Sequence, residues 1–247
     1  MIDIHTHILP GVDDGSGSLE ESLQMAELAV SSGVQAVIVT PHCDVPEDVP
    51  VSLDTLRGGL QQLRSALSAR GIPLKLYSGM EIFGTPETAE RLRSGKLTTL
   101  AGSHYPLIEF PFVNYGAQAT RILQSVRDLG LLPIVAHPER YRYVQLEPAL
   151  LNLWFDMGCL LQVNRGSLMG RFGGECQELA ESILDRGFAG FVASDAHGTE
   201  HRTPWLQDVY SLLCRRYSPH FAKLLLYDRP VCVLRDREIR QDEPDWF

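Results

Sequence analysis

The sequence predicts an α/β protein folded as one distorted (β/α) barrel of the TIM-like kind. Three observations point there. Apolar, β-prone runs alternate with segments of helical period, the pattern of parallel strands joined by crossover helices. Candidate metal ligands fall at the ends of many different strand-like runs; a barrel gathers such ends around one mouth, whereas an open sheet spreads them along an edge. The length of 247 residues also suits one α/β barrel. Residues 1–247 are therefore read as a single domain. The charged stretch 235–247 is expected as a loose tail that Trp246 and Phe247 could dock.

The first strand is expected over residues 2–7, in Met-Ile-Asp-Ile-His5-Thr-His7. Ser18-Leu-Glu-Glu21 has the form of a capping box, in which serine and glutamate satisfy N–H groups left free at a helix start. Leu19, Leu23, Ala26 and Val30 follow at helical spacing, and Gly33 stops the helix. Residues 36–40 form a strand ending at Pro41-His42. A second helix is expected from about 50 to 70. Leu56, Leu60, Leu63 and Leu67 make its apolar face, weakened by Gly58-Gly59. Strand 74–80 leads to Glu81, and strand 105–110 carries Glu109. Helix 117–129, strand 132–137, helix 148–157, strand 159–163, helix 175–186 and strand 188–194 then alternate. Two further helices are expected to end near Tyr227.

A net charge of -9, from 31 acidic and 22 basic residues, argues against nonspecific nucleic-acid binding, which uses a basic surface. The five cysteines (Cys43, Cys159, Cys176, Cys214 and Cys232) are odd in number and form no C-x-x-C pair. They read as reduced thiols, not a disulfide scaffold. No apolar run approaches the roughly 20 residues of a membrane helix, and no signal peptide precedes His5. A cytoplasmic location without membrane insertion is expected. The helical faces set no oligomeric state.

His5 and His7 are separated by one residue, and so are Asp195 and His197. On a strand, residues i and i+2 point to the same face, so each pair is expected to aim two ligands at one point. Asp14, His42, Glu81, Glu109 and His137 complete a set of N/O donors. The set is too large for one tetrahedral zinc; it suits two or three divalent ions bridged by carboxylates. Asp14 beside Gly15 also suits a turn, and Asp13 is a rival for its role. The set holds no cysteine, which argues against a structural zinc finger.

These residues, in this order, resemble the polymerase-and-histidinol-phosphatase superfamily of metal-dependent phosphoesterases. The matching pieces are His5-Thr-His7, Thr40-Pro41-His42, Glu81, His137 and Asp195-Ala-His197. The chain is similar above all to the bacterial capsule-type protein-tyrosine phosphatases. That likeness rests on the opening heptapeptide and on Val-Asp13-Asp14-Gly15, Gly79-Met-Glu81-Ile and Leu-Ile-Glu109-Phe. It extends through Ala-His137-Pro-Glu139-Arg140-Tyr141 and Asp156-Met-Gly-Cys-Leu-Leu-Gln-Val-Asn164, so it spans almost the whole chain.

The resemblance implies that His5, His7, Glu81 and Asp195 hold one ion. It implies that Glu81 bridges to a second, shared with Glu109 and His137, and that Asp14, His42 and His197 gather a third. Manganese is the first expectation, with iron or zinc as alternatives. Arg140 and Arg202 match arginines that touch the phosphate, a role that suits a guanidinium fork. The implied reaction is hydrolysis of phosphotyrosine in a protein by a metal-activated hydroxide. The implied partner is a bacterial tyrosine kinase of capsule or exopolysaccharide synthesis. The alternatives are a small-molecule phosphatase of the histidinol-phosphatase type and a metal-dependent amidohydrolase.

Two features stand apart. Cys159-Leu-Leu-Gln-Val-Asn-Arg165 fits the C-x5-R pattern of cysteine-dependent tyrosine phosphatases. Its intervening residues read as a strand and lack the glycine such a phosphate loop needs, so the match is taken as chance, with Arg165 or Asn164 at the pocket rim. Cys43-Asp-Val-Pro-Glu-Asp-Val-Pro50 is acidic where the capsule-type enzymes often carry a basic or amide-rich loop. That favours basic sequence around the target, or a different phosphoester.

Overall fold

The computed structural model describes residues 1–43 and 51–247. The acidic segment after His42, and the expected helix start at Pro50, fall on residues outside the described ones. Chain order is β1 (Ile2–Thr6), α1 (Leu19–Ser31), β2 (Ala36–Val39), β3 (His42–Cys43), α2 (Leu53–Arg70), β4 (Lys75–Ser78), β5 (Glu81–Phe83), α3 (Thr88–Arg93), β6 (Leu107–Glu109), α4 (Gly116–Arg127) and β7 (Ile134–Ala136). It continues with α5 (Arg142–Leu146), α6 (Leu150–Asp156), β8 (Leu160–Asn164), α7 (Arg165–Leu168), α8 (Gly174–Asp185), β9 (Ala189–Ala193), α9 (Gln207–Arg216), α10 (Pro219–Lys223) and α11 (Arg229–Leu234).

The fold is mixed α/β with parallel ladders throughout the described strands. Two sheets run in the orders β1-β2-β4 and β3-β5-β6-β7-β8-β9. The strand expected over 36–40 is interrupted at Thr40-Pro41 and continues as β3; the one expected over 74–80 is shorter and is followed, after Gly79-Met80, by β5. At Gly79 an added Cβ would sit 2.8 Å from Ile38 Cγ2 and 2.9 Å from Leu100 Cδ2, so only glycine lets the chain pass there. β1 meets the segment just after β9 through a parallel Thr6–Ala196 bridge. Beside it, Asp195 N–H donates to His5 O at 3.0 Å and His7 N–H to Ala196 O at 2.8 Å.

Strands β1, β2, β8 and β9 are buried along their whole lengths; β2 and β9 therefore read as continuous apolar runs, while β1 and β8 bury the polar residues Asp3, His5, Thr6, Gln162 and Asn164 as well. Helix α1 starts as its box predicts, with Ser18 Oγ accepting Glu21 N–H. The Glu21 carboxylate, however, takes Gly17 N–H at 2.9 Å, one residue earlier than the motif specifies. Helix α2 starts at Leu53, capped by Ser52, and buries the four predicted leucines. The helical course passes Tyr227 and runs to Leu234, across a π-turn at Leu224–Asp228. Pro230 sits in the first turn of α11, where its missing N–H is tolerated.

At the far end of the chain, Asp245 N–H donates to Arg186 O at 2.8 Å, and the Phe247 ring lies 5.2 Å from that of Phe188. Among the described residues, no helix is long and apolar enough to cross a membrane.

Candidate metal centre

Parallel strands end on one side, and the predicted ligands collect there. His5 lies in β1 and His7 just past it. His42 opens β3, Glu81 opens β5, and the two are direct register partners. Glu109 closes β6, His137 follows β7, and Asp195 and His197 follow β9. Asp14 comes from the loop after β1. That loop folds tightly over His7: a Cβ on Gly15 would fall 2.2 Å from His7 O, so glycine is required.

All nine predicted ligands meet in one cluster. Glu81 Oε2 faces three imidazole nitrogens, at 3.1 Å from His5 Nε2, 3.2 Å from His7 Nε2 and 3.0 Å from His42 Nδ1. Asp195 Oδ1 stands 3.4 Å from His5 Nε2 and 3.5 Å from His7 Nε2. Asp14 Oδ1 lies between His42 Nε2 and His197 Nε2, at 3.4 and 3.3 Å. Three groups of donor atoms are compact enough to hold an ion: His5, His7, Glu81 and Asp195; His7, Asp14, His42 and His197; and His42, Glu81 and Glu109. The first agrees with the set the resemblance implies, and the second contains the implied third set. In the group around Glu81 and Glu109, His42 takes the place expected of His137, which touches Glu81 Oε1 through Nε2 at 2.9 Å. His7, His42 and Glu81 each belong to two groups.

The donor set suits divalent cations. Glu81 Oε2, Asp195 Oδ1, His42 Nδ1, His137 Nδ1 and His197 Nε2 are buried yet make no hydrogen bond of proper geometry. So many orphaned polar atoms in one place would be costly without a cation among them. Hard carboxylate oxygens mixed with imidazole nitrogens fit manganese, iron or zinc.

Charge accounting without a cation gives the same picture. Burial opposes protonation of His5, but the Glu81 and Asp195 charges outweigh it and raise its pKa. Burial likewise opposes His42, yet the nearby Glu109 and Glu81 carboxylates raise it to about 10. Burial would lift Glu81, but the surrounding histidines, His5 foremost, hold it well below the usual range. Protons on His5, His7 and His42 thus balance the carboxylates, while burial holds His137 and His197 toward the neutral form.

Asp195 and His197 depart from the strand argument. Both lie beyond β9, and they face different donor groups. Asp195 and His137 each adopt left-handed backbone, at φ 51° and 34°. Such strain costs on the order of 1–3 kcal/mol per residue and concentrates at functional sites.

Asp13, Gln162 and Asn164 were not among the predicted ligands. Asp13 Oδ2 takes His7 Nδ1–H at 2.7 Å, so it supports His7 while Asp14 faces the ion groups. Gln162 Oε1 takes His5 Nδ1–H at 2.8 Å. The Gln162-Val-Asn164 spacing repeats that of His5-Thr-His7, a signal that could have found the amide pair. Arg165 is clamped to the Asp208 carboxylate at 2.8 and 2.5 Å and is buried, not at a rim. Cys159 is fully buried, and burial pushes its thiol up to about 12.

A cavity of about 520 Å³ opens over the cluster, lined by Asp14, His42, Glu109, His137, Arg140 and Arg202 together with Phe83, Phe110 and Phe112. Arg140 donates to Asp195 Oδ2 at 3.2 Å, and Arg202 pairs with the same oxygen at 2.5 Å. The Arg140 guanidinium is stacked between Phe112 and Phe172, 4.8 and 4.5 Å from the ring centres.

Fold and site together define a parallel α/β protein with a buried histidine–carboxylate cluster able to hold metal. Residues 1–235 match the family described as capsular polysaccharide synthesis, CpsB/CapC, and the chain belongs to that family. It is 33% identical over 246 residues to the tyrosine-protein phosphatase YwqE of Bacillus subtilis (strain 168), covering 99% of this chain and 95% of that protein. It is 31% identical over 249 residues to the tyrosine-protein phosphatase CpsB of Streptococcus pneumoniae, covering 97% and 100%. Among solved structures it resembles one from work on YwqE and CpsB, described as unique metal-dependent tyrosine phosphatases. That match has a TM-score of 0.94 and 32% identity, covering 100% of this chain and 99% of the other.

Proposed function

We propose that this protein is a metal-dependent protein-tyrosine phosphatase. The observation that carries the reading is the convergence of three imidazole nitrogens on Glu81 Oε2, beneath a cavity with arginines at its edge and aromatic rings in its wall. The relatives' activity favours phosphotyrosine over histidinol phosphate or an amide substrate.

His5, His7, Asp14, His42, Glu81, Glu109, His137, Asp195 and His197 would hold two or three divalent ions, manganese first. When bound, such ions supply hydroxide near neutral pH and positive charge for the phosphoryl oxygens. Arg140 and Arg202 orient the phosphate and balance charge on its equatorial oxygens. Phe112 and its neighbours give the tyrosyl ring an apolar wall. A phenolate leaving group needs little proton assistance, which fits a cavity whose most basic groups are held by carboxylates.

In the same reading residues 1–247 form one catalytic domain shaped as a distorted barrel. Support comes from β2 leading into β3, β4 leading into β5, and the bridge from β1 to the segment after β9. The protein acts in the cytoplasm on a tyrosine kinase of capsule or exopolysaccharide synthesis.

The test is phosphate release from a phosphotyrosine peptide and from histidinol phosphate, with and without chelation. Phosphotyrosine turnover lost on chelation and in His137→Ala supports the reading. Turnover of histidinol phosphate alone moves the function to small-molecule metabolism.

A further inference from the structure

The floor of the site contains a hydrogen-bonded chain whose direction is fixed at one end. Asp195 carries its charge on oxygens that can only accept. Its Oδ2 takes Asn164 Nδ2–H at 2.6 Å. Asn164 therefore turns its amide oxygen the other way, to accept Gln162 Nε2–H at 2.7 Å. Gln162 in turn can present only Oε1 to His5, and it accepts Nδ1–H at 2.8 Å. Each donor and acceptor in the run is assigned by its neighbour. All four residues are buried.

We infer that Gln162 and Asn164 are positioning residues, a two-amide relay that aims His5 Nε2 and Asp195 Oδ1 at the same ion. The relay settles both ends together. At one end it commits the His5 proton to Nδ1 and leaves Nε2 facing Glu81 and Asp195. At the other it joins Arg140 and Arg202 in holding Asp195 Oδ2, leaving Oδ1 toward the two histidines. Partners of this kind fix the ring orientation of a ligating histidine, and their loss typically costs about 10–100-fold in metal affinity or activity.

The relay differs from the support given to His7. Asp13 is an anionic acceptor and also takes Gly15 N–H and His42 N–H, at 3.0 Å each. His5 has a neutral acceptor, so its orientation depends on the amide direction set at Asp195, 31 residues along the chain from Asn164.

This inference rests on the proposed metal centre but not on the identity of the phosphoester, and its test needs no substrate. Zinc ions alone would be titrated into chelator-stripped protein against a colorimetric chelator. The titration would be run for wild type, Gln162→Leu, Asn164→Ala, the double variant and Gln162→Glu. Val163→Ala, on the same strand, serves as the packing control, and circular dichroism checks folding.

The relay predicts that each single variant weakens the tightest zinc site by about 10–100-fold. It predicts that the double variant costs no more than the worse single, because both break one chain. Gln162→Glu keeps an acceptor for His5 but loses the N–H donated to Asn164 Oδ1, so its affinity should stay below that of the wild type. Val163→Ala should lower thermal stability and leave affinity unchanged. Folded Gln162→Leu with wild-type zinc affinity, or additive losses in the double variant, would overturn the relay. Loss of affinity in these variants, with no phosphotyrosine turnover by the wild type, would retain the relay and discard only the phosphatase reading.

Discussion

His5 Nε2 and His7 Nε2 lie 3.2 Å apart in the floor of the site. Each ring has already committed its Nδ1–H elsewhere, to Gln162 Oε1 and to Asp13 Oδ2. As neutral rings they would turn two lone pairs on each other, beside the carboxylates of Glu81 and Asp195. Only a positive charge between these groups makes the arrangement favourable, whether it is a proton or a metal ion.

That requirement sets a pH dependence for the chelated protein. Histidines with raised folded pKa values contribute stability fully below their unfolded value of 6.5 and lose it as pH rises; for His42 the loss extends to about 10. Glu81 and Asp195, held low, contribute above their unfolded values of 4.5 and 3.8 and lose it as pH falls. Chelated protein should therefore be more stable at about pH 5.5 than at about pH 8.5. Bound metal competes with those protons, so its stabilisation should grow over the same interval. Thermal melts at both pH values check this; a chelated protein that melts higher at the alkaline pH contradicts it.

Replacing Glu81 by Gln removes the negative charge at the point where three imidazoles meet. Activity should fall by on the order of 10²-fold or more, the scale for a group that organises transition-state charge. Metal content per chain should fall with it. Full metal content with full activity would count against the site as drawn.

Cys159→Ser should leave kcat/KM within about twofold, since the thiol is fully buried and titrates near 12, far from a nucleophile's range. A folded variant without activity would instead revive the cysteine mechanism.

Arg140→Ala should lower kcat/KM for a phosphotyrosine peptide by about 10–100-fold, the range expected for a charge-assisted hydrogen bond. Arg140→Lys should recover little, because an ammonium cannot replace a flat guanidinium lying between Phe112 and Phe172. Steady-state kinetics on the two variants separates charge from stacking: equal rescue by lysine would make charge alone sufficient.

Much of the site was legible because its residues lie at or just beyond strand-like runs, with His42 and Glu81 following β2 and β4, and because β2 and β9 announce themselves as apolar runs. His5 and His7, spaced two apart, do lie in one donor group. The same spacing failed for Asp195 and His197, since a left-handed turn at Asp195 breaks strand alternation, and no local pattern marks that turn in a non-glycine residue. Helices α3, α5 and α7 span six, five and four residues, too short for periodicity to register. Asp13 and Asp14 are adjacent and chemically alike; only the fold of the loop over His7 separates supporter from candidate ligand. The rival role of Arg165 was settled by Asp208, 43 positions away.

The three donor groups overlap in pairs: His7 joins the first two, Glu81 links the first to the Glu109 group, and His42 links that group to the Asp14 one. Such a network has hubs and spokes. Losing Glu109 or Asp14 damages one compartment and spares the others' donors. Losing His7, His42 or Glu81 opens two compartments at once, so genetic tolerance should differ between residues of identical type sitting side by side. The most vulnerable positions are set by connectivity rather than by burial: His42 is partly exposed, and it is a hub all the same.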